Sequence, residues 1–240
     1  MNLSALLEEA PLVHADESGS MVYMGLEEGV LRLIDEHVGA SSKTLETGCG
    51  TTTALFALKG AEHVCISPLE SEVGRVRAYC REHGISDGRV TYHVDASENV
   101  LPRLELKDLD LILIDGGHGF PLPFIDFFYT AKFLKAGGLL VIDDVHLWTG
   151  KVLKDFLSAE KEWGLKQTFK KTVVFAKLGE WTAREWDQQP FTLAHSNLSE
   201  PDAENQMPAR LRRALRLIRK GEFGTLAAKI TRNLSGGSKA

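Results

Sequence analysis

The chain has 240 residues, 43% of them hydrophobic and 25% charged, with a formal net charge of −5. These values describe one good-sized domain with appendages, or at most two small ones, with room for a large core, and no apolar run reaches membrane-spanning length. Three cysteines, Cys49, Cys65 and Cys80, give neither a paired disulfide framework nor a CxxC zinc pattern, which fits a reducing cytosol. No basic-then-apolar stretch opens the sequence, so no signal peptide is expected. No internal repeat shows at the common periods.

In chain order, Leu3 to Glu9 reads as a short helix capped by Asn2 or Ser4. Ala10 to Gly25, with Pro11, Gly19 and Gly25, reads as loop. Leu26, Val30, Leu33, Ile34 and Val38 recur at helical spacing. Strand and helix then alternate. Strands are expected at Thr44 to Glu46, Glu62 to Ser67, Val90 to Val94, Leu109 to Asp115 and Gly138 to Asp143. Helices fall at Thr52 to Lys59, Leu69 to His83, Ser97 to Leu104, Phe124 to Leu134 and Lys151 to Trp163. The runs LDLILID and GLLVID suit strands buried on both faces. Leu165 to Phe169 and Thr172 to Lys177 form a hairpin-like pair. The alternation predicts an α/β fold, a mostly parallel sheet with helices on both faces and an antiparallel last strand.

Ligands of such sheets sit beyond the carboxyl ends of the strands. Those ends carry Glu46-Thr47-Gly48-Cys49-Gly50, Ser67-Pro68, Asp95-Ala96-Ser97, Asp115-Gly116-Gly117-His118 and Asp143-Asp144-Val145-His146. Gly48 and Gly50 permit a sharp turn close to a ligand, and the following helix start offers amide donors. A lone Gly-x-Gly is shared by several nucleotide-binding folds. Thr53 stands where a dinucleotide dehydrogenase would carry a third glycine, which counts against that oxidoreductase reading.

The segments LETGCGTTT (Leu45 to Thr53), VDAS (Val94 to Ser97), LILIDGGHGF (Leu111 to Phe120) and FLKAGGLLVIDDV (Phe133 to Val145) carry a resemblance. The chain resembles class I S-adenosylmethionine-dependent methyltransferases over about Leu26 to Lys177. Within them it is similar to metal-dependent sugar O-methyltransferases and cephalosporin-hydroxylase-like proteins. The resemblance implies a Rossmann-like, seven-stranded sheet with the last strand antiparallel. It implies that Glu46 holds the cofactor's methionine amino group and that Gly48 and Gly50 pass beneath the cofactor. Asp95 would accept from the adenine amino group, with Ala96 and Ser97 beside it. Asp115 would lie next to the methionine moiety and the acceptor. The family's usual ribose-binding acid is replaced by Ser67, and Glu70, ahead of Glu72, is the expected substitute.

Asp115, Asp143 and Asp144 would share one rim. Hard cations such as magnesium take oxygen ligands, and the related metal-dependent enzymes use such a set, so these three are the candidate magnesium ligands. The alternative is that they cap helices and turns. His118 is the candidate general base or acceptor-orienting residue, beside Asp115, while His146 reads equally as structural. The other six histidines show no constellation. Cys49 reads as small packing.

The expected organisation is a helical segment and lid at 1–40, the cofactor domain at 41–178 and an extension at 179–240. Met21, Tyr23 and Met24 read either as a lid over the acceptor or as core. Trp181 and Trp186 seal the domain, cover the acceptor or join a dimer contact. From Met207 to Ala240 there are nine Lys/Arg and one Glu, against 19 Lys/Arg and 32 Asp/Glu elsewhere. This basic amphipathic tail suits an anionic membrane surface, or docking on the acidic body of its own or a neighbouring chain. Nucleic acid is not expected, because no aromatic stacking platform accompanies the charge. The expected activity is methylation of a small-molecule or sugar hydroxyl in the cytoplasm. The rivals are a Rossmann-type oxidoreductase and a non-catalytic ligand-binding protein of the same fold.

Overall fold

The computed structural model describes residues 1–196; the expected tail helix lies outside the described residues. Met1–Phe191 form one compact unit, and a second begins at Thr192. In the first, α1 (Leu3–Glu8) starts at Asn2, whose side chain accepts from the Ala5 amide at 3.0 Å. The stretch expected as loop instead pairs β1 (His14–Ala15) with β2 (Met21–Val22) as a small antiparallel ribbon. Asp16 closes its turn by accepting from the Ser18 and Ser20 amides. α2 (Glu28–His37) buries Val30, Leu31, Leu33 and Ile34.

The main sheet follows. Its elements are β3 (Lys43–Thr47), α3 (Thr51–Leu58), β4 (Glu62–Ile66), α4 (Glu70–Glu82), β5 (Val90–His93) and α5 (Ser97–Val100). Then come β6 (Leu109–Ile114), α6 (Leu122–Thr130), β7 (Leu134–Ile142), α7 (Trp148–Ala159), β8 (Trp163–Thr168) and β9 (Val173–Lys177). The order is β5-β4-β3-β6-β7-β9-β8. β9 runs antiparallel to both neighbours, and β3 to β7 pair in parallel. The architecture is therefore the expected Rossmann-like sheet of seven strands.

Alternation sorts the strands between two cores. Leu111, Leu113 and Val141 face the layer of α2, α3 and α4. Ile112, Ile114, Leu140 and Ile142 face α6 and α7. Each such side chain contributes about 1.5–3 kcal/mol by leaving water. Several boundaries differ from the sequence expectation; α7, for one, spans Trp148–Ala159 and leaves Trp163 to β8. α6 ends at Thr130 and β7 already begins at Leu134, because Leu134 pairs with Leu109 before the register slips to Leu139 opposite Leu111. α5 is short and passes into a 3₁₀ turn at Leu101–Arg103, where Pro102 sits.

Two further contacts position the rim. The Glu27 carboxylate, just before α2, accepts from the Lys171 and Lys170 amides at 2.7 and 3.2 Å, fixing the β8–β9 turn. Lys177, buried in β9, donates to the Ala131 and Leu134 carbonyls at 3.1 and 2.6 Å, closing the end of α6. Trp181 packs edge-on against Phe127 at 4.8 Å between ring centroids, sealing the α6–α7 core, while Trp186 is exposed.

Candidate active site

The parallel strands end on one rim, and a cleft of about 750 Å³ opens there. Gly48, Gly50, Ser67, Ala96, Ser97, Asp115, His118, Asp143 and Asp144 all line it. This is the grouping that the strand ends promised. Its tightest point is Gly48. A Cβ there would lie 2.4 Å from the Asp115 carbonyl oxygen, and φ is +102°, so only glycine fits. The β3 and β6 ends touch through this gap.

Glu46 is absent from the cleft lining. Leu45 faces α6, so Glu46 alternates onto the α3 side and is almost fully buried. Its carboxylate accepts from Thr52 Oγ1 at 2.6 Å and from Thr53 Oγ1. His63 Nε2 lies 3.1 Å away, and His63 Nδ1 is 2.8 Å from Thr44 Oγ1. Thr53 Oγ1 in turn accepts from the Gly50 amide at 3.0 Å. The acid therefore shapes the glycine turn from beneath. Thr53, in the third-glycine position, has its hydroxyl committed to closing that turn. The Gly48 amide is also spent, on the Ile66 carbonyl at 2.9 Å.

Asp95 is likewise outside the cleft lining. It is exposed and stands just before α5, accepting from Asn99 Nδ2 at 2.9 Å and from the Ala96 amide at 2.8 Å. Those bonds hold its carboxyl below the usual range. Ala96, Ser97 and Glu98 face the cleft instead. Glu70 does not line the cleft either. Glu72, two residues on, turns inward and accepts from Ser67 Oγ at 3.3 Å. Two helical steps of about 100° each put the two acids on nearly opposite faces of α4, and only the second faces the β4 end.

The three rim aspartates take different partners. Asp143 accepts from Thr172 Oγ1. Asp144, in the left-handed region at φ 51°, has Oδ2 3.1 Å from His118 Nε2 and Oδ1 3.4 Å from His146 Nδ1. Asp115 is pushed well above the usual carboxylate range, first by burial and then by the charges of Asp143, Glu46 and Asp144. Burial also raises Asp143. Among the described residues no three His, Cys, Asp or Glu side chains are placed to hold a metal ion. The expected magnesium set of Asp115, Asp143 and Asp144 is not assembled, because Thr172 and the two histidines occupy the carboxylates that would have converged.

Several cleft residues escaped the sequence reading. His14, in β1, reaches Glu72 Oε1 at 2.8 Å through Nδ1. His14 and His63 thus both belong to constellations, although nothing in their local sequence signals it. Tyr23 and Met24, expected as lid or core, line the cleft and stay largely exposed; Met21 does not line it. Asp126 of α6 lies just behind the cleft wall, with Oδ2 3.5 Å from where a Gly116 side chain would begin.

Comparison with known proteins follows the same geometry. Residues 45–145 match the family Methyltransf_24, described as a methyltransferase domain. No curated protein matches the chain. Among solved structures, cofactor-bound Rv0187 from MTB is 17% identical, with 73% of this chain and 88% of that one covered and a TM-score of 0.56. The O-methyltransferase TomG from Streptomyces achromogenes, solved with S-adenosylmethionine, is 16% identical over 70% and 92%, TM-score 0.52. An rRNA methylase from Streptococcus thermophilus is 17% identical over 67% and 100%, TM-score 0.50. Over residues 45–145 the chain is thus similar to a methyltransferase domain, and it shares the fold of these solved structures. No helix among the described residues is long and apolar enough to cross a membrane.

Proposed function

We propose that the protein transfers a methyl group to a hydroxyl of a small-molecule or sugar acceptor. The observation carrying this reading is the His118–Asp144 pair, a base with its orienting carboxylate at 3.1 Å, on the cleft wall beside Asp115. When bound, S-adenosylmethionine would supply an activated methyl group. The cleft has the size of a ligand site, and Gly48 leaves the backbone bare where a cofactor would pass. Gly48, Gly50, Ser67, Glu72, Ala96, Ser97 and Asp115 are the residues placed to hold it.

The chain's own groups do the rest. His118 takes the proton of an acceptor hydroxyl, and Asp144 fixes the ring and stabilises the imidazolium. Tyr23 and Met24 line the cleft from the N-terminal segment, where they contact whatever acceptor it holds. The aspartates do not fit a magnesium ion, so no step is routed through one. Three buried free cysteines, Cys49, Cys65 and Cys80, accord with the expected cytosol.

The test is release of S-adenosylhomocysteine from S-adenosylmethionine in the presence of phenolic and sugar hydroxyl acceptors. His118→Ala should lower the rate about 100-fold or more, while calorimetric affinity for S-adenosylhomocysteine stays within twofold. Undiminished turnover in that variant would remove His118 from the chemistry. A non-catalytic binding protein would bind the ligand and release no product with any acceptor.

A further inference from the structure

Two large rings lie bare beside the cleft. Phe120 is 70% exposed and Trp148 is 64% exposed. Phe120 stands in the β6–α6 loop between His118 and Leu122, which both line the cleft. Trp148 opens α7, and the next residue, Thr149, donates from Oγ1 to the His118 carbonyl at 2.7 Å. The two rings are therefore carried on the same backbone that holds the base. Two residues of chain span at most about 7 Å, which is within the reach of one aromatic ligand.

The rings make one face. Phe120 meets Phe124 at 6.0 Å between centroids and 62° between planes, and meets Trp148 at 6.0 Å and 52°. That spacing is contact, so no guest fits between them. A guest stacks instead on the side that Phe120 and Trp148 leave open, and an aromatic guest continues the edge-to-face series. Rings of about 150–250 Å² each, about two-thirds bare, together offer about 200–330 Å². That falls well short of the ~800 Å² that each partner commits to a stable protein interface, and it is ample for one flat small molecule. Charge narrows the guest further. Glu72, Glu98, Asp115, Asp143 and Asp144 line the cleft, with Lys171 the one Lys or Arg among the described lining residues. A phosphate or carboxylate is repelled there.

We propose that Phe120 and Trp148 select the acceptor, and that the acceptor is an uncharged phenol or naphthol whose ring lies on them. This rests on the reading of the site given above and names the acceptor class within it. Asp144 Oδ2 accepts from His118 Nε2, so the free lone pair of the neutral imidazole is on Nδ1. Nδ1 takes the proton of the ring hydroxyl that the aromatic face brings beside it. Tyr23, on the cleft lining, adds a further ring.

The test is calorimetric titration of the full chain, saturated with S-adenosylhomocysteine, with 2-naphthol and with 2-naphthoate. The wild-type protein should prefer 2-naphthol about tenfold or more. Phe120→Ala and Trp148→Ala should each weaken 2-naphthol about tenfold or more, with S-adenosylhomocysteine affinity within twofold and circular dichroism unchanged. Leu165→Ala, which removes an exposed side chain from the edge strand β8, should leave 2-naphthol affinity within twofold. Full 2-naphthol affinity in both ring variants overturns the acceptor face and leaves the cofactor reading standing. The same holds if the wild-type protein binds S-adenosylhomocysteine but not 2-naphthol, or binds 2-naphthoate as tightly as 2-naphthol. A dimer by sedimentation, or retention on phosphatidylcholine vesicles, that either ring variant abolishes gives the rings another occupant and also overturns it. A wild-type protein that does not bind S-adenosylhomocysteine overturns the cofactor reading itself, and the acceptor assignment with it.

Discussion

Asp126→Asn should stabilise the protein at neutral pH and do so less and less as pH falls. Asp126 is fully buried in α6, and neither carboxylate oxygen has a hydrogen-bond partner among the described residues. Burial pushes its carboxyl up from 3.8 to about 6, with Glu98 adding to the rise. The hydroxyls of Ser97 and Thr47, and the His118 charge, pull it down without cancelling that rise. Between these two pH values the folded chain binds more protons than the unfolded one. Stability therefore falls as pH rises through the window. The penalty is fully present above about pH 6 and absent below about pH 4. A shift of about two units corresponds to about 3 kcal/mol. Asparagine keeps the shape and carries no charge. Urea unfolding followed by circular dichroism at pH 8 should show the variant more stable by up to about 3 kcal/mol, with the gap closing toward pH 4.5. Subtracting wild type from variant cancels the titration of Asp115 and Asp143. A gap of the same size at both pH values would refute the argument, because it could not come from ionisation of Asp126.

Other substitutions probe the rim. Gly48→Ala forces a Cβ against the Asp115 carbonyl and strains a left-handed residue. It should cost about 3 kcal/mol or more in unfolding free energy and abolish calorimetric binding of S-adenosylhomocysteine; a well-folded variant with normal affinity would contradict the close approach of β3 and β6. Glu27→Ala leaves the Lys170 and Lys171 amides without their carboxylate. It should cost about 1–3 kcal/mol and raise hydrogen exchange at the β8–β9 turn, and unchanged exchange there would show that Glu27 does not hold it. Asp144→Asn should lower methyl transfer at least tenfold, leaving S-adenosylhomocysteine affinity within twofold; equal loss of both would mark Asp144 as structural.

The layered architecture was legible because it depends on local pattern. LDLILID and GLLVID are apolar at every turn of the pleat but the edges, and only a strand covered on both faces wants that. The rim followed from parallel direction, which carried Gly48, Ser67, Ala96, Ser97, Asp115, His118, Asp143 and Asp144 to one cleft. Glu46 shows where pattern stops. Alternation opposes it to Leu45, but whether its side meets solvent or a helix is set by α3 folding over it with Thr52 and Thr53. The choice between Glu70 and Glu72 depended on the phase of α4 against the end of β4. Asp95 had a nearer use, bonding Asn99 and the Ala96 amide beside it, and local hydrogen bonds need no tertiary approach.

The sequence by itself determined the succession of strands and helices, the two-sided core and the rim on which ligand residues gather, because hydrophobic periodicity and chain direction are properties of neighbouring residues. Only the tertiary structure decided how the polar atoms of that rim divide. Thr172 comes from β9's approach and claims Asp143, His118 and His146 share Asp144, and His14 crosses from a ribbon that the sequence reads as loop. Each of these bonds joins groups whose meeting depends on how separate elements pack, and no local periodicity encodes that distance.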